Sequence, residues 1–185
     1  MTLTVETGTM PPGANSYASV ADCNDYQFAR GSEDWPPAPE GGDDPNVAQK
    51  EAALVRATDY LNGLAWKGKK ASGGRVMAWP RIEVEDADGY VVPADSVPLN
   101  VVYACCYLAG LVYAGTDVQP VLERGGRIQS EKVSTLETSF FEDAANRDVF
   151  SALADLLNGL ALGFGDYAGV GVKGGGDRMG KVVLG

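Results

Sequence analysis

"VPLNVVYACCYLAGLVYAG", residues 97–115, is the most apolar stretch of the chain. Its uninterrupted apolar part, residues 101–114, falls short of the roughly 20 residues that a membrane span requires. It therefore reads as a buried helix. Pro98 suits a first helical turn, Asp95 or Ser96 is placed to cap it, and Gly115 is a natural stop. Val101, Val102, Tyr103, Leu108, Leu111 and Val112 make this helix apolar nearly all round. Such a helix must be covered on most sides, by its own domain or by neighbouring subunits. The amphipathic segments on either side then have something to pack against. The predicted fold is mainly α: a small bundle of about four helices, with a β-hairpin or extended β-arm and a flexible C-terminal tail.

On the N-terminal side, "EDADG" (residues 85–89) reads as a turn with Asp88-Gly89 as its strongest signal. It lies between Ile82 and Val84 on one side and Tyr90, Val91 and Val92 on the other, so a small hairpin is expected. Before it stands the triplet Trp79-Pro80-Arg81. Pro80 is expected to fix an extended segment, Trp79 to pack onto the bundle, and Arg81 to meet a carboxylate within the subunit or across to the next. "WKGKKASGGR", residues 66–75, is the one basic cluster: Lys67, Lys69, Lys70 and Arg75. A second helix is predicted over about residues 46–62, with Leu54, Ala57, Leu61 and Leu64 at helical spacing and Val47 earlier. Residues 32–46, "SEDWPPAPEGGDDPN", hold five acids and no base, four prolines and two glycines. They read as a solvated insertion rather than a partner-binding loop anchored by Trp35. A first helix begins after Ser19, where Asp22 completes a capping box, and stops at Gly31. Val20, Cys23 and Gln27 share one side of it; Ala21, Tyr26, Phe28 and Ala29 are further apolar contacts. Residues 1–15 are expected to be extended or loose.

On the C-terminal side, "IQSEKVSTLETSFF", residues 128–141, alternates like a strand or β-arm. A last helix is predicted over about residues 146–162, with Val149, Leu153, Leu156, Leu157 and Leu160 as its stripe. Residues 1–163 then form one domain, and residues 164–185 a glycine-rich tail with eight glycines. The tail carries a net charge of +1, leaving −11 on the rest of a chain whose total is −10. Its tip is apolar and basic (Met179, Lys181, Val182, Val183, Leu184), as in a docking peptide on a flexible lead.

Hydrophobic residues make up 45 % of the chain, enough for a core. The acidic balance repels nucleic acid and anionic membranes in general, and only a local basic patch could override it. The four cations of residues 66–75, with Trp66 and Trp79 as possible stacking platforms, are the candidate DNA-facing patch. Histidine is absent, so Ser-His and Cys-His dyads are excluded. Cys23, Cys105 and Cys106 lack zinc-site spacing and read as buried reduced thiols of a cytosolic product. No Walker A or dinucleotide loop is present among the glycines. No catalytic residue, cofactor or metal is expected, and nothing resembles a signal peptide.

Five stretches together resemble a known family: residues 15–31, "NSYASVADCNDYQFARG"; residues 53–70, "ALVRATDYLNGLAWKGKK"; Trp79-Pro80-Arg81; residues 97–109, "VPLNVVYACCYLA"; and residues 128–140, "IQSEKVSTLETSF". In this order they look like the tailed-phage head–tail connector, or adaptor (head-completion), proteins, a type sometimes labelled DnaT-like. The resemblance implies a structural virion protein made in the host bacterial cytoplasm and placed in the neck. Such adaptors form a homo-oligomeric ring of about twelve copies between the portal and the next neck or tail protein, and extend the channel through which double-stranded DNA passes. It also implies portal docking by the C-terminal segment, here Met179, Lys181, Val182, Val183 and Leu184. Trp79, Arg81, Ile128 and Val133 are candidates for the subunit interface or for a purely structural role. The alternative is a DnaT-like single-stranded-DNA-binding protein using Lys67, Lys69, Lys70 and Arg75.

Overall fold

The computed structural model of the chain describes residues 2–119, 131–133, 136–138 and 151–162. Four helices occur among them: α1 (Val20–Phe28), α2 (Val47–Asn62), α3 (Leu99–Tyr113) and α4 (Ser151–Leu156). Between α2 and α3 lies an antiparallel pair, β1 (Lys69–Lys70) with β2 (Arg81–Ile82). A second antiparallel pair follows α3, β3 (Glu131–Val133) with β4 (Leu136–Thr138). The fold is mainly helical and small, as the periodicity predicts.

The apolar helix is the hub. α3 packs most extensively on α2 and also touches α1 and α4. Val101, Ala104, Cys105, Cys106, Leu108, Ala109 and Val112 are buried along it. Leu54 and Leu61 of α2 are fully buried beside it, as is Leu108 of α3 itself. Each contributes about 1.5–3 kcal/mol by leaving water. The chain's own helices thus supply most of the cover that α3 needs, while Leu99 stays exposed at its start. The three cysteines are free and buried, and burial pushes the Cys105 thiol up to about 11. Among the described residues no helix is long and apolar enough to cross a membrane.

α1 starts on the predicted capping box: Ser19 Oγ accepts from the Asp22 amide, and the Asp22 carboxylate accepts from the Ser19 amide. Gln27 Nε2 donates to the Cys106 carbonyl at 2.7 Å and locks α1 across α3. Gly110 allows that crossing, since a Cβ there would sit 2.3 Å from Gln27 Nε2. Three helix-end expectations are corrected. Phe28 is 84 % exposed rather than a core contact, because α1 turns Cys23, Tyr26 and Gln27 inward. Gly31, with φ +63°, lies two residues past the Ala29 cap rather than one. Neither Asp95 nor Ser96 caps α3; Ser96 Oγ donates to the Pro93 carbonyl instead, and Pro98 takes the cap position.

Residues 1–15, expected to be extended or loose, and residues 32–46, expected to be a solvated insertion, are both tied to the body. In residues 1–15, Val5 forms a parallel bridge with Ser16. The buried Glu6 carboxylate accepts from the amides of Gly8 and Met10, both at 2.9 Å. The acidic stretch 32–46 is likewise not merely solvated. Trp35 is buried, its indole N–H donates to Asn24 Oδ1 at 2.7 Å, and its ring lies against Tyr113. Beneath it the fully buried Lys50 ammonium donates to Pro36 O at 2.6 Å, Asp44 Oδ2 at 2.7 Å and Asn24 Oδ1 at 3.0 Å. This bond to Lys50 holds the Asp44 carboxyl below the usual carboxylate range. The prolines and acids of the loop are therefore draped over an internal anchor.

The expected hairpin around Asp88-Gly89 forms as a single bridge, Glu85 to Val91, with Gly89 at φ +87°. The last described turn closes the fold in a way that periodicity does not foresee. α4 ends at Leu156, and the Leu160 carbonyl and Leu162 amide then bond the Lys67 amide and Ala65 carbonyl. Leu153, Leu157 and Leu160 are buried as predicted. Val149 and the rest of residues 146–150 lie outside the described residues.

Candidate functional site

The fold gathers the Trp66–Arg81 region around a short antiparallel pair. Gly68 (φ +66°) permits β1 to run against β2; a Cβ there would lie 2.2 Å from the Ile82 carbonyl oxygen. Each of the four cations then has a different setting. Arg75 donates to the carbonyls of Met10 (2.7 Å) and Pro11 (3.0 Å) and pairs with Glu6 at 3.4 Å, latching the N-terminal segment. Lys70 donates to the Arg75 carbonyl at 2.7 Å. Lys69 pairs with Glu83 at 2.8 Å, both side chains being well exposed; such a pair contributes little. Lys67 lines an open cleft with Glu83, Val84, Glu85, Asp86 and Val91. Carboxylates accompany Lys67, Lys69 and Arg75, and Lys70 is turned onto backbone carbonyls.

The tryptophans are not stacking platforms. Trp66 is 7 % and Trp79 1 % exposed. They meet edge to face at 5.5 Å, inside the body, where a large apolar ring gains most from leaving water. The Trp79–Pro80 peptide is cis. Around it, Tyr17 Oη accepts from the amides of Ala78 (2.8 Å) and Trp79 (3.1 Å) and donates to Asn62 Oδ1 (2.6 Å).

Arg81 is buried too, and the expectation that it meets a carboxylate within the chain is corrected. Its guanidinium donates to the backbone carbonyls of Lys67 (2.6 Å), Gly68 (2.8 Å) and Ala78 (3.0 Å). Burial lowers its pKa. Five donors in a planar fork suit this ring of carbonyls, which holds the Trp66–Gly68 segment against Trp79. The Trp-Pro-Arg triplet is thus a keystone of the chain's own interior. Sequence reasoning missed Tyr17, which accepts from the Trp79 amide, and Asn62, which accepts from Tyr17 and the Ala78 amide. The only available signal was Tyr17 itself, a polar-tipped aromatic just before a helix cap.

Of the other predicted residues, Val133 lies in β3, opposite Leu136 in β4. Ile128 and the tip residues Met179, Lys181, Val182, Val183 and Leu184 lie outside the described residues. The described surface also exposes Phe28, Val76, Tyr90, Val91, Leu99 and Leu162, apolar residues with no covering element among the described parts.

A family model described as "Putative DnaT-like ssDNA binding protein" matches residues 1–180. The chain belongs to this family. The match takes in the acidic loop and most of the C-terminal tail, beyond the reach of the five motif stretches. No curated protein and no solved structure matches the chain.

Proposed function

We propose that this family member is a structural head–tail adaptor of a tailed phage, forming a homo-oligomeric ring between portal and neck and carrying out no catalysis. The observation that most supports this reading is the use made of Trp66, Trp79, Arg75 and Arg81. A single-strand-binding groove needs exposed cations beside accessible aromatic faces. Here both tryptophans and Arg81 are buried, and Arg75 is bonded to the N-terminal segment. An acidic chain, at −10, also suits a channel that must let DNA pass without holding its phosphates. The β3–β4 ribbon supports assembly as well. Among the described residues β3 and β4 pair only with each other; a two-stranded hairpin is marginal in water, and its edges suit strand addition by a neighbouring copy, with Val133 in β3 and Ile128 three residues before that strand in the sequence. The apolar, basic tip from Met179 to Leu184 is the proposed portal contact, with the downstream neck or tail protein on the opposite face.

The test is co-sedimentation of the full chain with portal rings from the same phage. Binding that is lost in a Val182→Asp/Val183→Asp variant supports the adaptor reading and its docking tip. The family description favours a second reading, single-stranded-DNA binding through Lys67, Lys69 and Lys70. It predicts oligonucleotide affinity that falls with salt, each phosphate contact adding about 0.7 to the log–log slope. That affinity would be lost when the three lysines become alanine. No portal binding together with such a titration would replace the first reading by the second.

A further inference from the structure

One pentapeptide occurs twice in the chain: Leu-Asn-Gly-Leu-Ala, at residues 61–65 and again at residues 157–161. The two copies lie side by side. Trp66 and Ala161 form an antiparallel bridge, the Leu162 amide donates to the Ala65 carbonyl at 2.7 Å, and the Lys67 amide donates to the Leu160 carbonyl at 3.0 Å. Each copy carries Asn-Gly, the dipeptide whose asparagine side chain is most open to attack by the backbone, because glycine has no Cβ to hinder its own nitrogen. Equal local sequence gives the two sites equal intrinsic reactivity, so a difference between them comes from the fold.

The fold treats them oppositely. Asn62 Oδ1 accepts from Tyr17 Oη at 2.6 Å and from the Ala78 amide at 2.8 Å, and its Nδ2 donates to Met77 Sδ at 3.8 Å. The Gly63 amide, the nucleophile of that site, donates to the Tyr60 carbonyl at 3.1 Å. Both reacting groups there are occupied. Asn158, by contrast, is exposed. Among the described residues its carboxamide has no hydrogen-bond partner, and the Gly159 amide donates to no acceptor.

We propose that Asn158-Gly159 is a self-modification site, at which the folded protein deamidates and thereby loosens its own closure. The Gly159 amide nitrogen gives its proton to solvent base and attacks Asn158 Cγ. The N–Cγ bond forms, the Cγ–Nδ2 bond breaks, and Nδ2 leaves as ammonia. Water then opens the succinimide ring. Addition at the former side-chain carbonyl gives aspartate; addition at the main-chain carbonyl gives isoaspartate, in which the chain runs through Cγ. Water is the only co-reactant, and nothing is oxidised or reduced. Either product adds a negative charge to a groove that Asn158 lines with Asp86 and Asp88, where like charges repel. Isoaspartate also lengthens the main chain beside Gly159, which packs so closely that a Cβ there would lie 2.3 Å from the Ala87 nitrogen. The bonds of Leu160 and Leu162 to residues 67 and 65 follow directly and take up the shift. This goes beyond the adaptor reading and stands without it, since it concerns the isolated chain.

In the experiment the full chain is aged at mildly alkaline pH, folded in one sample and unfolded in urea in another. Digestion in acid and mass spectrometry follow the mass gain at each Asn-Gly, and an isoaspartyl methyltransferase reports the isoaspartate. In the folded protein Asn158 should convert roughly tenfold or more faster than Asn62, the scale set by the hydrogen bonds that Asn62 must first break. In urea the two rates should converge. As Asn158 converts, hydrogen exchange at the Lys67 and Leu162 amides should rise. It should stay constant in Asn158→Gln, whose longer side chain does not close the same ring. Equal rates in the folded protein, a faster Asn62, an Asn158 that converts only in urea, or exchange that does not follow conversion at Asn158 would each overturn the proposal.

Discussion

Replacing Lys50 by Met should unfasten the acidic loop from the helical body. The ammonium has no solvent exposure and donates to Pro36 O, Asp44 Oδ2 and Asn24 Oδ1 at 2.6–3.0 Å. Methionine preserves most of the apolar stem but leaves Asp44 Oδ2 and the Pro36 carbonyl without this donor, while Asp44 Oδ1 keeps the Asn46 amide. Breaking a buried pair by removing one partner costs about 3–5 kcal/mol. Asp44 lies near the surface, with 9 % of its side chain exposed, so water recovers part of the loss and about 3 kcal/mol is expected. For a domain of this size that lowers Tm by about 6–12 °C. The pH dependence supplies an independent check. Lys50 holds the folded-state pKa of Asp44 below its unfolded value. The resulting stability is fully present above the ordinary carboxylate value of about 3.9 and is lost as pH falls through the lowered folded value. In Lys50→Met this acid-side loss should shrink. Urea melts of both proteins, at neutral pH and across the acid limb, measure both effects. A neutral-pH loss under about 1 kcal/mol, or an unchanged acid limb, would refute the assignment of Lys50 as the loop's anchor.

Tyr17→Phe removes the acceptor of two buried amides and should cost about 1–3 kcal/mol in a urea melt. In the parent protein burial raises the Tyr17 pKa far above its usual value. An ultraviolet absorbance titration should therefore show one tyrosine that stays un-ionised while the fold persists. Gly159→Ala should cost roughly 3 kcal/mol, combining a left-handed backbone with overpacking, since its Cβ would lie 2.3 Å from the Ala87 amide nitrogen. Gly89→Ala, at φ +87° with open space around it, should cost only about 1 kcal/mol. Glu6→Gln weakens the contact with Arg75 and should raise hydrogen exchange at Gly8 and Met10, whose amides donate to Glu6 Oε1, while α3 keeps its protection.

Much of the fold was legible because local chemistry and tertiary demand agree. Ser19 with Asp22 starts α1 in any setting where a helix follows. The spacing of Leu54, Ala57 and Leu61 fits only a helix with one buried face, and residues 101–112 are too apolar to lie anywhere but at the centre. Glu131 to Thr138 alternates as strands do, and it pairs as two. These are properties of neighbours along the chain, which the sequence by itself determines. What it could not determine was where each polar group would find its partner. Trp66, Trp79 and Arg81 carry the residue types of a nucleic-acid site, and Lys50 is by type a surface residue. Only the folded chain decides that Arg81 meets three carbonyls contributed by residues 67, 68 and 78. It alone brings Lys50 beneath Trp35 and within reach of residues 24, 36 and 44. A charge is tolerated inside a protein only where acceptors converge on it, and that convergence is a property of three-dimensional packing, with no periodicity along the sequence to announce it.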